Sequence, residues 1–105
     1  MEKHTWLAKV RPNMLAEYRR RHDEIWPEMV EVLKSAGIRN YTIWNSGDML
    51  FGYYECEYGY EYAKKVQDES EVVARWDVSM APIMEFVKDE KTGEPIDFEC
   101  VFVLD

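Results

Sequence analysis

The amino-acid sequence predicts one α+β domain, an antiparallel four-stranded sheet with helices on one face. Three observations predict it. Periodic segments follow one another in the order β-α-β-β-α-β, the split βαβ or ferredoxin-like plan. The 105 residues suit a single domain, which can bury about two-thirds of its unfolded surface without a disulfide or metal. Strands that should show one polar face carry large residues on both, so the sheet asks for a second cover.

Residues 5–10 form a short apolar run closed by Arg11-Pro12-Asn13 and read as the first strand. Asn13 is expected to cap the helix that follows. Between residues 14 and 36, Leu15, Tyr18, His22, Ile25, Met29, Val32 and Leu33 fall on one face, opposite a charged one. Pro27 predicts a kink or a restart near Ile25-Trp26, and Gly37 supplies a left-handed end. Residues 38–44 and 49–57 read as strands two and three, joined by the turn Asn45-Ser46-Gly47-Asp48. Helical structure follows at residues 60–68, then from Ser70, an N-cap residue, to about Val87. A charged loop over residues 88–95 leads to residues 98–104, expected to close the sheet as its fourth strand. The chain shows no repeat and no interdomain linker, so residues 1–105 are read as one domain.

The third strand reads Met49-Leu50-Phe51-Gly52-Tyr53-Tyr54-Glu55-Cys56, and the expected fourth Phe98-Glu99-Cys100-Val101-Phe102-Val103-Leu104. Both are apolar on two sides while helices cover only one. A homodimer packing sheet against sheet is the simplest cover for the other.

Thirteen basic against 21 acidic residues give a net charge of -8, which disfavours nucleic acid and anionic membrane surfaces as partners. No apolar run approaches the length of a membrane span, and Met1-Glu2-Lys3-His4 does not open a signal peptide. Cys56 and Cys100 fall in expected strands and read as buried free thiols in a reducing cytoplasm.

The chemistry centres on residues 17–28. Tyr18 and His22 stand one helical turn apart on the sheet-facing stripe. His22 is the one group on that stripe able to exchange a proton near neutral pH, and Tyr18 adds a hydroxyl beside it. A histidine so placed is more often a packed core residue than a catalyst. Tyr41, Trp44 and Trp76 are, taken singly, ordinary core aromatics too. Together, aromatic platforms beside hydroxyl and imidazole groups suit a ligand with C–H faces and several hydroxyls, which describes a sugar. Asp77, next to Trp76, is the acidic residue placed to enter a pocket. His4 reads as remote on the first strand, and the arginines at 19–21, among acidic neighbours, as a solvated helix face. No phosphate loop, metal-ligand spacing or nucleophile elbow occurs.

The run Glu17-Tyr18-Arg19-Arg20-Arg21-His22, then Ile25-Trp26-Pro27-Glu28, Leu33-Lys34-Ser35, Gly37, Asn40-Tyr41 and Arg75-Trp76, resembles the signature of the L-rhamnose mutarotases. The resemblance spans nearly the whole chain, to Val101-Phe102. It implies a cofactor-free homodimer of the dimeric α+β barrel type that interconverts the α and β pyranose anomers of L-rhamnose. It makes His22 the proton donor and sets Tyr18, Tyr41 and Trp76 against the sugar. The family often has a second tryptophan after Trp76; here Asp77 holds that position and joins the expected sugar contacts. That departure keeps L-fucose, another 6-deoxy sugar or a related pentose open as substrates. General acid–base catalysis by one positioned histidine accelerates such a reaction roughly 100- to 10,000-fold. Tyr18, Asp77 and water remain alternatives for the base. Two other readings share the fold plan: a haem-binding or cofactor-free oxygenase, and a non-catalytic sugar-binding module.

Overall fold

A computed structural model describes residues 1–105. Along the chain stand β1 (Glu2–Val10), α1 (Leu15–Asp23), α2 (Pro27–Ser35), β2 (Ile38–Ser46), β3 (Met49–Cys56), α3 (Tyr60–Asp68), α4 (Glu71–Met80) and β4 (Met84–Phe86). The sheet runs β2-β3-β1-β4 with every neighbour antiparallel, the ferredoxin-like arrangement expected from the element order.

Strand alternation decides what becomes interior. On β3, Leu50, Tyr54 and Cys56 are buried beneath the helices. On β1, Ala8 and Val10 are buried in the same layer. Tyr18 and Met29 from the first helical region and Val73, Trp76 and Met80 from α4 close over that layer as one cluster. Gly37 (φ 81) and Gly47 (φ 58) take the left-handed backbone their turns require. The opposite face is left to Trp44, 65% exposed, and Phe51, 37% exposed.

The restart expected at Pro27 is observed: the chain leaves helical geometry after Asp23 and resumes with Pro27 in the first turn of α2, where its missing N–H costs no bond. Other expectations are corrected. Asn13 is not the cap. It adopts φ 65, and Met14 takes the cap position with no side-chain hydrogen bond. The last helix stops at Met80 rather than near Val87, because Pro82 cannot continue it. Ser70 does cap that helix, accepting from the Val73 N–H.

The fourth strand is the largest correction. It is Met84–Phe86, paired with Ala8, Lys9 and Val10 directly after α4. Residues 98–104 carry no regular structure, and Phe102 is 75% exposed. A segment apolar on both sides finds only one layer to lie on within a single chain, and that layer's inner face is already taken by the helices. Phe98 packs edge-on against Phe51, centroids 5.7 Å apart, so this segment starts across the outer face. Cys100 is accordingly exposed, whereas Cys56 is buried as expected.

Candidate active site

α1 is short because the chain breaks after it, and this places His22 in its last turn. The His22 Nδ1 lies 3.0 Å from the Tyr18 carbonyl oxygen. A carbonyl only accepts, so Nδ1 carries the proton and Nε2 is left without a protein partner. Burial holds the His22 pKa below its ordinary 6.5, opposed by the Tyr18 carbonyl and by Asp23. The imidazole is stacked on Tyr18 (4.2 Å) and meets Trp76 edge-on (5.4 Å). Trp76 is braced in turn by Trp26, perpendicular at 5.2 Å.

Arg21 fixes the distance between the helices that carry these rings. Its Nη1 donates to the Ser79 carbonyl on α4 (2.7 Å) and its Nε to Glu17 (3.0 Å). The same carboxylate also pairs with Arg20, and the two guanidiniums hold it at a pKa of about 2. Of the arginines read as a solvated face, Arg21 is therefore a clamp between α1 and α4.

From the sheet side, the Trp6 Nε1 donates to the Tyr41 hydroxyl at 2.9 Å. Gly52 makes room for that indole: a Cβ there would lie 2.0 Å from Trp6. Tyr41 as a residue is partly exposed, yet its hydroxyl is desolvated and burial pushes its pKa up, as it does that of Tyr18. Asp77 is exposed on its helix, yet its carboxyl is partly desolvated and its pKa is raised by burial. It has no salt-bridge partner.

One cleft of 1260 Å³ between helices and sheet is lined by Tyr18, His22, Tyr41, Trp76 and Asp77 together. The expected sugar contacts thus converge. Trp44 does not join them; it lies on the outer face. His4, read as remote, lines the same cleft, because β1 begins at Glu2 and carries His4 and Trp6 on its inner side. No cluster of three or more His, Cys, Asp or Glu is placed to hold a metal ion. A smaller depression of 380 Å³ beside Arg11 and Gly47 contains none of these rings.

The L-rhamnose mutarotase family model matches residues 3–104. The chain belongs to the L-rhamnose mutarotase family. The L-rhamnose mutarotase of Listeria monocytogenes serovar 1/2a is 39% identical over 99% of both chains, and that of Bacillus subtilis 36% over 100% of both. The crystal structure of an L-rhamnose mutarotase from Formosa agariphila superposes with a TM-score of 0.80 at 26% identity, covering 100% of each chain. Within this mutarotase fold, sequence reasoning missed Trp6 and His4, which line the cleft, and Gly52 and Arg21, which support it. Trp6 had a usable signal: it shares the strand parity of the buried Ala8 and Val10.

Proposed function

We propose that this protein is an L-rhamnose mutarotase in which His22 transfers the proton, with Tyr18, Tyr41, Trp76 and Asp77 holding the sugar. One observation carries the reading: the unpartnered Nε2 of His22 belongs to a ring that lines a cleft walled by Tyr18 and Trp76.

Mutarotation moves one proton from the anomeric hydroxyl to the ring oxygen and breaks the bond between C1 and that oxygen. Both oxygens are bonded to C1, so a single imidazole can reach both. Burial favours neutral His22 with hydrogen on Nδ1. Nε2 takes the anomeric proton, and the resulting imidazolium, supported by the Tyr18 carbonyl, delivers it to the ring oxygen as the ring opens to the aldehyde. Rotation about C1–C2 and reversal of the steps give the other anomer. Trp76 and Tyr18 offer apolar faces to the sugar's C–H surface, and Tyr41, pinned by Trp6, offers a hydroxyl in a fixed direction. His22 is thus both acceptor and donor, which narrows the question of a separate base.

We place the protein in the cytoplasm as a homodimer joined through the outer faces of its sheets. The free thiol of Cys56 suits a reducing compartment, and no helix is long and apolar enough to cross a membrane. The exposed aromatics on the outer face support the assembly.

Saturation-transfer NMR tests the activity directly. Catalytic amounts of protein should transfer saturation between the two anomeric signals of L-rhamnose; transfer no faster than in buffer would refute the proposal. L-fucose in parallel tests the substrate, since faster exchange there would assign Asp77 to a different sugar.

A further inference from the structure

Building on the mutarotase reading, we propose that the cleft contains a second sugar subsite at His4, Tyr60 and Asp97. The protein then accepts a reducing disaccharide, with its 6-deoxyhexose end at His22 and its second ring on the His4–Tyr60 stack.

The first argument is size. Clefts for drug-sized ligands run roughly 300–1000 Å³, and a single pyranose is smaller than such a ligand. This cleft, at 1260 Å³, exceeds that range. The second is the construction of the unused half. His4 stacks on Tyr60 with centroids 4.2 Å apart and an interplanar angle of 19°. That pair presents flat aromatic surface of the kind that receives a sugar's C–H face. The floor is continuous with the first site: Tyr41 meets Tyr54 at 4.9 Å, and Tyr54 meets His4 at 5.1 Å.

Hydrogen-bonding groups border this floor. Neither ring nitrogen of His4 has a protein partner, so a neutral imidazole there offers one donor and one acceptor. Asp97, on the segment after β4, lines the cleft beside His4 and Tyr60 and can accept from sugar hydroxyls; Glu94 of the same segment also lines the cleft. Asp97 stands near enough to His4 to act on its charge. Gln67 lines the cleft as well, and its side-chain N–H donates to the Ala63 carbonyl at 3.2 Å. Aromatic faces ringed by unpaired acceptors and one imidazole match a second pyranose better than an apolar group. Ring opening requires a free anomeric hydroxyl, so the second ring must be attached through another oxygen of the first sugar.

The chain has two histidines, so two sets of imidazole NMR signals report the two halves separately. L-rhamnose should shift the His22 signals alone. A disaccharide carrying a second pyranose on the 3- or 4-oxygen of a reducing L-rhamnose should shift both sets, and its anomers should exchange under catalysis. In His4→Ala and Tyr60→Ala the ratio of disaccharide to L-rhamnose kcat/KM should fall about tenfold. Tyr60→Phe, which keeps the stack, should retain most of that ratio, and this separates loss of the subsite from loss of fold. A silent His4 signal with disaccharide, or no disaccharide exchange by protein that exchanges L-rhamnose, would overturn the subsite. If L-rhamnose itself does not exchange, the mutarotase reading fails instead, and the His4 shift still reports whether the second ring binds.

Discussion

Leu50 and Phe51 are adjacent on β3 and meet opposite fates. Leu50 is 1% exposed beneath the helices, while Phe51 is 37% exposed on the other side of the sheet. The inner face that Leu50 belongs to is closed by four helices and holds the cleft, both histidines and the hydrogen bond between Trp6 and Tyr41. The outer face carries large aromatics too, and its own chain meets it only where Phe98 packs on Phe51. The difference teaches that residue type does not assign burial in this sheet; the side of the strand does. The outer face keeps its aromatics open, the feature on which the proposed sheet-to-sheet dimer rests, whereas the inner face has spent its apolar surface on lining the cleft.

The largest effect that can be used against this division is catalytic. His22→Ala should reduce anomer exchange by about 100- to 10,000-fold while the circular dichroism spectrum and the mass in solution stay unchanged. Equal loss on replacing an outer-face residue such as Trp44 would break the assignment of chemistry to the inner face. Next comes packing. Leu50→Ala empties a fully enclosed position and should cost about 2–5 kcal/mol of unfolding free energy, read from urea melts. Phe51→Ala should cost much less in a monomer, and its effect should appear instead as concentration dependence of the melt. Phe51→Arg should weaken the dimer by roughly tenfold or more in sedimentation, with the His22 site preserved. A monomeric wild-type protein would show that the outer face serves some other partner.

The same division explains what could be read from the sequence. Element order, the helix face carrying Tyr18 and His22, the Ser70 cap and the left-handed Gly37 all arise from local rules of period, capping and backbone freedom, which act within a few residues. The fourth strand did not follow, because residues 98–104 satisfy every local criterion for a strand and lack only a neighbour to pair with. Met84–Phe86 is too short to announce itself, and is fixed by its register with Ala8 to Val10. His4 failed for a related reason. Its distance from His22 along the chain is large, and only the pairing of β1 between β3 and β4 brings both to one cleft. Arg21 was unreadable in another way: its partner is the Ser79 carbonyl, a group every residue has. Local physics was legible, and long-range pairing was legible only where a periodic pattern implied it.

The smallest effect is a pH dependence that belongs to one face. Burial lowers the pKa of both His4 and His22, so the unfolded chain binds protons more readily than the folded one just below pH 6.5. Stability contributed this way is complete above 6.5 and is lost as pH falls from there through the lower folded values. Asp77, raised by burial, works in the opposite sense: its contribution is lost as pH rises from the ordinary carboxylate value through its raised folded one. Urea midpoints should therefore fall as the pH drops from 7.5 to 5.5. The His22 imidazole should titrate with a midpoint below 6.5 by NMR, and exchange activity should decline on the acid side at that same midpoint, where Nε2 becomes occupied. Replacing both histidines with Gln should flatten the stability profile. Trp44→Ala should leave the slope as it is, because no histidine faces outward. A slope that changed with Trp44 would mean that the outer face reaches the titrating groups through the sheet, and the two sides would then have to be treated as one coupled structure.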